Sequence, residues 1–198
     1  MIQTSGWLRS GVLLCALLSP GRSSAAQELP RVVIQTTLGS MEVEVDTVRA
    51  PITASNFLRY VDHGAYRSGR FHRTVRLDNQ PADRVKIQVI QGGLDSTRTV
   101  DFAPIPLERT KDTGLSHEDG TISMARDGPN TATSDFFISI GRQPELDFGG
   151  KRNPDGQGFA AFGRVVRGMD VAKLIQTARA QEQRLTPPIQ IINITRVR

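Results

Sequence analysis

The chain has 198 residues, a length that suits one domain with a sizeable hydrophobic core. Its net charge of +5 arises from interspersed charges, and no basic block interleaves with aromatic residues, so the composition gives no support for nucleic-acid binding. The single cysteine, Cys15, lies near the N-terminus, so the rest of the chain can form no internal disulfide.

The first 26 residues have the three parts of a secretory signal peptide. A polar stretch precedes the short apolar run GVLLCALL at 11–18, and small residues follow at the expected cleavage positions. The apolar run is too short to span a bilayer as a helix. We therefore expect cleavage after Ala26, no stable membrane insertion of the mature chain, and one domain over residues 27–198. A buried N-terminal helix is the alternative interpretation.

An alternating pattern predicts a β-hairpin over residues 31–46, with a turn at Leu38-Gly39. The period of two places one side of each strand in the core and leaves Glu42 and Glu44 in water. The apolar positions on the core side are Val32, Ile34, Met41, Val43 and Val45.

Two segments switch to a helical period. Pro51 suits the first turn of a helix, where its missing N–H costs nothing, and Gly64 ends that helix. A second helix follows Gly168. The predicted apolar stripes are Ala54, Phe57, Leu58 and Val61 in the first helix and Val171, Leu174, Ile175 and Ala178 in the second.

Short apolar runs, broken by Gly, Pro, Asn and Asp, fill the region between the helices and the C-terminal end of the chain. These runs are typical of β-strands, and many short strands with two helices favour a β-barrel or a β-sandwich. They cover residues 85–90, 121–125, 136–140, 159–166 and 189–197.

Four motifs follow one another along the chain: Phe-His-Arg at 71–73, Gln-Gly-Gly at 91–93, GTISMA at 120–125 and SDFFI at 134–138. Together they resemble the cyclophilin family of peptidyl-prolyl cis-trans isomerases, and most of all its secreted bacterial branch. The resemblance covers residues 32–197. It implies a mainly β fold, a closed eight-stranded antiparallel β-barrel capped at its open ends by two α-helices.

The implied reaction is rotation about X–Pro bonds, which is slow because it breaks amide resonance, a barrier of about 18–20 kcal/mol. Such a catalyst needs no nucleophile, cofactor or metal, but it must favour the twisted amide over both planar forms. A guanidinium suits this role because it stays protonated and holds a rigid fork of donors. By resemblance, Arg73 and Gln91 are the catalytic residues. The implied substrate-binding residues are Phe71, Val89, Ala125, Arg126, Phe137, Leu146 and Phe159.

Several positions depart from the family pattern. Gln88 stands where the family has a pocket phenylalanine, which predicts a more polar or a rebuilt pocket. Asp135 replaces a glutamine near the peptide groove, and Glu145 replaces a tryptophan, which argues for weak cyclosporin binding. The link between Arg73 and Gln91 is longer than the family's short form, so residues 76–84 are expected to form an extra surface loop beside the catalytic arginine.

The sequence therefore predicts a periplasmic, monomeric isomerase that assists protein folding by acting on proline-containing, unfolded or extended polypeptides. The alternative is a binding module, a chaperone or assembly factor that holds such segments without useful turnover. A hydrolase has no nucleophile–base motif to support it. His63, His72 and His117 lack the spacing of metal ligands, so no metal site is predicted.

Overall fold

Eight antiparallel strands close into one barrel in the computed structural model, which describes residues 1–2, 28–95, 97–98, 100 and 102–197. The predicted signal peptide lies almost wholly outside these residues. The strands are β1 (Arg31–Thr36), β2 (Gly39–Val45), β3 (Arg70–Val75), β4 (Val89–Gly93), β5 (Thr121–Met124), β6 (Phe136–Ser139), β7 (Ala160–Arg167), β8 (Ala180–Gln181) and β9 (Arg184–Arg196).

The strand order confirms the predicted barrel. Neighbouring strands pair in the order β1-β2-β7-β5-β6-β4-β3-β9, and pairing of β1 with β9 closes the ring. The two-residue strand β8 forms a hairpin with the start of β9 and lies outside the ring of eight. Because closure leaves the ring without a free edge, every barrel strand has two hydrogen-bonded neighbours.

Two longer helices pack against this barrel, as predicted, and two short ones lie in its loops. Helix α1 (Pro51–Asp62) packs against β7 and β9, and α3 (Met169–Thr177) packs against β2, β3 and β4. The short helices are α2 (Thr110–Thr113) and a 3₁₀ turn at Pro144–Leu146. The predicted stripe of α1 is confirmed, since all four of its apolar residues are buried.

The predicted stripe of α3 is wrong at Leu174, and its last member, Ala178, follows the helix as its C-cap. Leu174 is 54% exposed, whereas Ala172 and Gln176 are buried beside Val171 and Ile175. The buried face therefore runs through neighbouring pairs of residues one turn apart. Relative to the orientation that its hydrophobic pattern predicts, the helix is rotated about its own axis by about one residue, so Leu174 faces solvent.

The N-terminal hairpin has its apolar residues inside the barrel as predicted, but its glutamates are not in open water. Glu42 and Glu44 side chains are 15% and 17% exposed because arginines cover them. Arg31 contacts both carboxylates, and strand pairing brings Arg167 opposite Glu42 and Arg164 opposite Glu44. The outer face of this part of the barrel is a network of ion pairs.

A β-bulge at His72 determines which residues of β3 face the barrel interior. Phe71 pairs with Gly92 and Arg73 pairs with Gln91, so His72 has no counterpart on β4. In a regular strand residues two apart share a face, but one extra residue reverses the alternation. Phe71 therefore points into the barrel, while Arg73 points to the outside. The interrupted alternation also explains why β3 is absent from the strands predicted by periodicity.

Apolar residues form two clusters on opposite faces of the same strands. The large interior cluster fills the barrel and joins α1 and α3 to it, with Phe57 in tilted or edge-on contact with Tyr66, Phe136 and Phe162. A second, small cluster lies on the outer face of β3, β4 and β6, and we call it the site cluster. Its buried members are Val75, Ile87, Val89, Phe137 and Leu146.

Candidate active site

A cavity of about 420 Å³ opens over the site cluster, and Phe137 forms its aromatic floor. The Phe137 ring meets the ring of Phe159 edge-on, with their centres 5.2 Å apart. On another side it stacks on the imidazole of His117 at 5.8 Å, with the two planes only 15° apart. Because neighbouring rings fix its orientation, Phe137 offers a preformed apolar surface large enough for a proline ring.

His117 is buried beneath this floor and belongs to a hydrogen-bonded network. Its Nδ1 lies 2.7 Å from Asp147 Oδ1, and its Nε2 lies 3.1 Å from Ser123 Oγ. The three residue types match a hydrolytic triad, but Ser123 is fully buried and has no access to a substrate. The network therefore supports the ring of Phe137, and it gives the hydrolase interpretation no reactive group at the surface.

Arg73 lies at the edge of the cavity and is held by two amide side chains. Its Nη1 donates to Gln91 Oε1 at 3.0 Å, while its Nε and Nη2 donate to Gln183 Oε1 at 2.9 and 2.7 Å. Within the described residues it has no carboxylate partner, so its charge is not neutralised in an ion pair. Three of five N–H groups are engaged, which leaves two for a substrate.

Burial is the main electrostatic influence on this guanidinium. It lowers the pKa of Arg73, the charge of Arg152 lowers it further, and Asp83 acts in the opposite direction. An arginine side chain remains protonated at neutral pH even so. A partly desolvated, protonated donor interacts with an acceptor more strongly than it would in water.

Asp135 extends the same hydrogen-bonded chain on the far side of Gln91. Gln91 Nε2 donates to Asp135 Oδ2 at 3.4 Å, and His72 Nε2 lies 3.6 Å from the same oxygen. Burial raises the pKa of the Asp135 carboxyl, although His72 and Gln91 counteract this effect. Asp135 thereby orients the Gln91 amide so that its oxygen faces Arg73.

The structure brings eight of the nine predicted site residues to this one cavity. They come from strands β3, β4 and β6 and from three connecting segments that are distant in sequence. Those lining it are Arg73, Val89, Gln91, Ala125, Arg126, Phe137, Leu146 and Phe159.

Phe71 is the exception, and its predicted role in substrate binding is wrong. It is 0% exposed and packs edge-on against Phe136 within the interior cluster. The bulge at His72 places Phe71 on the face opposite Arg73. The two residues belong to one short motif, but only Arg73 lines the cavity.

Of the two effects expected from Gln88, a more polar or a rebuilt pocket, the contacts of this segment agree with the second. Its main chain and side chain contact Gln143 and Gln176, away from the cavity. The apolar wall is instead continued by Ile87, which shares a face with Val89 and alternates with Gln88. Ile87 therefore gives the pocket an apolar side chain at this point, as a phenylalanine would. The alternation of apolar and polar residues in this segment is the sequence pattern from which Ile87 could have been predicted.

Arg126 lines the cavity but its guanidinium is already occupied. It forms a two-pronged ion pair with Asp155 and also donates to the carbonyl oxygen of Gly158. Its charged end lies 5.2 Å from the ring centre of Phe159. The side chain thus fixes the loop that carries Phe159, and any contact of this segment with a peptide stays a prediction for the main chain.

Two further residues at the site have no local sequence signal. Gln183, which holds Arg73, comes from the β8–β9 hairpin, 110 positions along the chain. Arg152, which lines the cavity, comes from an irregular loop rich in glycine and proline. Both reach the site through tertiary packing, which periodicity and short motifs do not report.

A second and larger concavity, about 1690 Å³, lies on the other side of Arg73. Its described lining residues are mostly charged or polar and include no phenylalanine, tyrosine or tryptophan. The smaller cavity differs from it in having an aromatic floor, Phe137.

The described residues contain no cluster of three or more His, Cys, Asp or Glu side chains arranged to hold a metal ion. They also contain no helix of the length and apolarity needed to cross a membrane.

The closed barrel, the outward-facing arginine and the aromatic-floored cavity define a class of proteins: closed β-barrels with a cavity on an outer face of the sheet. Solved structures share this fold. A cyclophilin type peptidyl-prolyl cis-trans isomerase from Cryptosporidium parvum superposes with a TM-score of 0.68 at 23% identity, covering 86% of this chain and 98% of that one. A second structure of that protein, in the presence of the dipeptide Ala-Pro, gives the same TM-score at 22% identity.

The sequence comparisons identify the family. Residues 31–196 match the family described as cyclophilin type peptidyl-prolyl cis-trans isomerase/CLD, and the chain belongs to it. Peptidyl-prolyl cis-trans isomerase A of Dickeya dadantii is 33% identical over 88% of this chain and 85% of the relative. Peptidyl-prolyl cis-trans isomerase B of Escherichia coli is 30% identical over 73% of this chain and 83% of the relative.

Proposed function

We propose that the chain is a peptidyl-prolyl cis-trans isomerase whose reaction takes place in the cavity between Arg73 and Phe137. Family membership supports the activity, and the named relatives are isomerases of this kind. The site assignment depends mainly on one observation: the Arg73 guanidinium, which forms no ion pair within the described residues, lies beside a cavity whose floor is Phe137. A non-catalytic binding module, the alternative from the sequence, is not favoured by these relatives.

Catalysis in this scheme is selective binding of the twisted amide. The proline ring lies on Phe137 between Val89 and Leu146, while the preceding residues remain free to rotate. As the amide twists, its nitrogen lone pair leaves resonance and becomes a better acceptor. Arg73 then donates a hydrogen bond that neither planar isomer accepts equally well, which lowers the barrier in both directions.

Gln91 and Gln183 are positioning residues in this scheme. Their amide oxygens hold three N–H groups of Arg73 without neutralising its charge. A carboxylate in either place would satisfy the same donors but would weaken the positive field at the substrate. Neutral partners thus keep the guanidinium both oriented and electrostatically active.

The test is exchange spectroscopy by NMR on an Ala-Pro peptide, with Arg73→Ala compared with native protein. We expect the catalysed rate to fall by about 10²–10³-fold, the usual effect of removing a transition-state donor. The far-UV circular dichroism should remain that of the native protein. Arg142→Ala is the matched control, because Arg142 is exposed and pairs with Glu118. An Arg73→Ala variant that retains half of the native rate would exclude the mechanism.

We also propose that the protein is exported and acts in the periplasm on unfolded or extended polypeptides as a monomer. Residues 1–26 support export by their three-part pattern, and bacterial isomerases are among the relatives. Expression in a Gram-negative host followed by N-terminal sequencing tests the export step. A mature start near Gln27 in the periplasmic fraction is the expected result, and an intact Met1 in the cytoplasm would contradict it.

A further inference from the structure

Two loops meet at one end of the cavity, and Arg152 joins them. One loop, residues 76–88, connects β3 to β4, and the other, residues 147–158, precedes β7. Arg152 Nη1 donates to the carbonyl oxygen of Val85 at 2.7 Å and to Gln80 Oε1 at 3.1 Å, and it lies 3.1 Å from Asp83 Oδ2. The contact brings a second guanidinium to the cavity wall, close to Arg73.

The loop that receives Arg152 is itself held by a buried side chain. Gln80 is 1% exposed, and its amide nitrogen donates to the carbonyl oxygens of Arg76 and Ile87 at 2.6 and 2.8 Å. Its amide oxygen accepts from the backbone N–H of Ile87 as well as from Arg152. Arg152 is thus anchored to an ordered loop, and its charge is placed in advance of any substrate.

Arg152 retains donors for a ligand. Each hydrogen bond or ion pair of its side chain uses Nη1, so Nε and Nη2 have no partner among the residues that the structure describes. Its side chain is 12% exposed and lines the cavity. By contrast, the guanidinium of Arg126 is fully engaged with Asp155 and Gly158 and offers little to a substrate.

Two guanidiniums line the cavity near the meeting point of the two loops, which we call its basic end. Burial lowers the pKa of Arg73, the charge of Arg152 lowers it further and that of Asp83 raises it, so both residues lie near Arg73. Asp135 and Asp127 line the same cavity, and Gln91 links Asp135 to Arg73. A substrate in the cavity therefore meets Arg152 at the basic end and carboxylates further along the wall.

We propose that Arg152 determines substrate preference: the isomerase favours segments that carry an acidic residue directly beside the proline. A proline on Phe137, with its preceding carbonyl near Arg73, brings the neighbouring side chain within reach of the basic end. A glutamate or aspartate there accepts hydrogen bonds from the free donors of Arg152, while a lysine is repelled. The inference rests on the proposed function, because it concerns the same cavity.

The experiment measures kcat/KM by NMR exchange for two peptide series, one varied before the proline and one after it. Each series places Glu, Gln or Lys at the varied position, and each catalysed rate is taken relative to the spontaneous rate of that peptide. In low salt we expect kcat/KM for the Glu peptide to be about 10 times that for the Lys peptide in at least one series. We expect this Glu-to-Lys ratio because a partly desolvated charge contact has an effect of that magnitude. The ratio compares peptides on one protein, so it is independent of the fraction of active protein.

Three variants assign the preference. Arg152→Gln should bring the ratio to about 1, and Arg152→Lys should retain part of it because the charge remains. Asp83→Asn should raise the ratio, since it removes the competing carboxylate. Arg167→Gln, which changes the net charge equally but pairs with Glu42 on the far outer face, should leave it unchanged.

The outcomes separate this inference from the proposed function. The role of Arg152 would be overturned if the native Glu-to-Lys ratio lay within twofold of 1 in both series, or if the ratio were unchanged in Arg152→Gln. In either case, catalysis of the Gln peptides would still uphold the isomerase activity. Failure of the native protein to accelerate any peptide, the neutral ones included, would overturn both proposals.

Discussion

The two faces of β6 carry adjacent phenylalanines with different tasks. Phe136 is enclosed inside the barrel by the rings of Phe57, Tyr66 and Phe71, whereas Phe137 belongs to the small site cluster and borders a cavity. One peptide bond separates a residue enclosed in the core from one that borders an open cavity. The sheet thus supports a binding surface with the same strands that close its core, because successive side chains point in opposite directions.

The comparison depends most on which face of the sheet each side chain of β3 occupies, so a charge placed inside the barrel should have the largest effect. Phe71 is 0% exposed within the interior cluster, so Phe71→Arg would bury a charge among apolar rings. We expect loss of cooperative unfolding in urea together with loss of isomerase activity. His72→Ala, which changes the bulge residue without placing a charge inside, is the control and should fold normally. A Phe71→Arg variant of native stability would show that this position does not face the interior.

The next largest effect should distinguish the two phenylalanines directly. Phe136→Ala should lower the free energy of unfolding by about 3–5 kcal/mol, because it opens a void within closely packed rings. Phe137→Ala should cost less stability, since one side of its ring already borders a cavity, but it should lower kcat/KM more than Phe136→Ala does. Urea denaturation and NMR exchange on both variants test the pair. The division between a core role for Phe136 and a site role for Phe137 would be contradicted if both variants lost the same stability and folded Phe137→Ala kept full activity.

A smaller effect, dependent on pH, should appear at the junction of β2 and α1, where Asp46 closes one edge of the interior cluster. Burial opposes ionisation there, but hydrogen bonds from Arg49 and Val48 and the charge of Arg49 outweigh it, so the pKa of Asp46 lies below its ordinary value of 3.8. The carboxylate therefore stabilises the fold above pH 3.8, and this contribution is lost as the pH falls through the lowered pKa.

Asp46→Asn should accordingly lower the free energy of unfolding by about 1.5–3 kcal/mol at pH 7, the usual range for hydrogen bonds to a charged group. The difference between native protein and variant should shrink as the pH falls below 3.8. Urea denaturation at several pH values measures it. Activity per folded molecule at pH 7 should stay native, since Asp46 does not line the cavity. A gap that widens in acid would refute the assigned pKa direction.

Much of this protein follows from the sequence itself. Alternation along the first hairpin and the stripe of α1 depend on local periodicity, and the structure confirms both. The motifs around Arg73, Gln91 and Phe137 indicated the family because short, ordered residue patterns carry that information directly. Periodicity also located most strands, since each barrel strand must bury one face whatever its neighbours are.

Tertiary structure alone decided the rest. The bulge at His72 put Phe71 inside and Arg73 outside, which no two-residue period predicts. Packing on the barrel rotated α3 so that Leu174 faces solvent. Gln183 and Arg152 reach Arg73 from distant loops, and only the closure of the barrel brings them there. Local patterns report which residues are buried, whereas partners across the chain depend on register and loop docking, which are settled by long-range contacts.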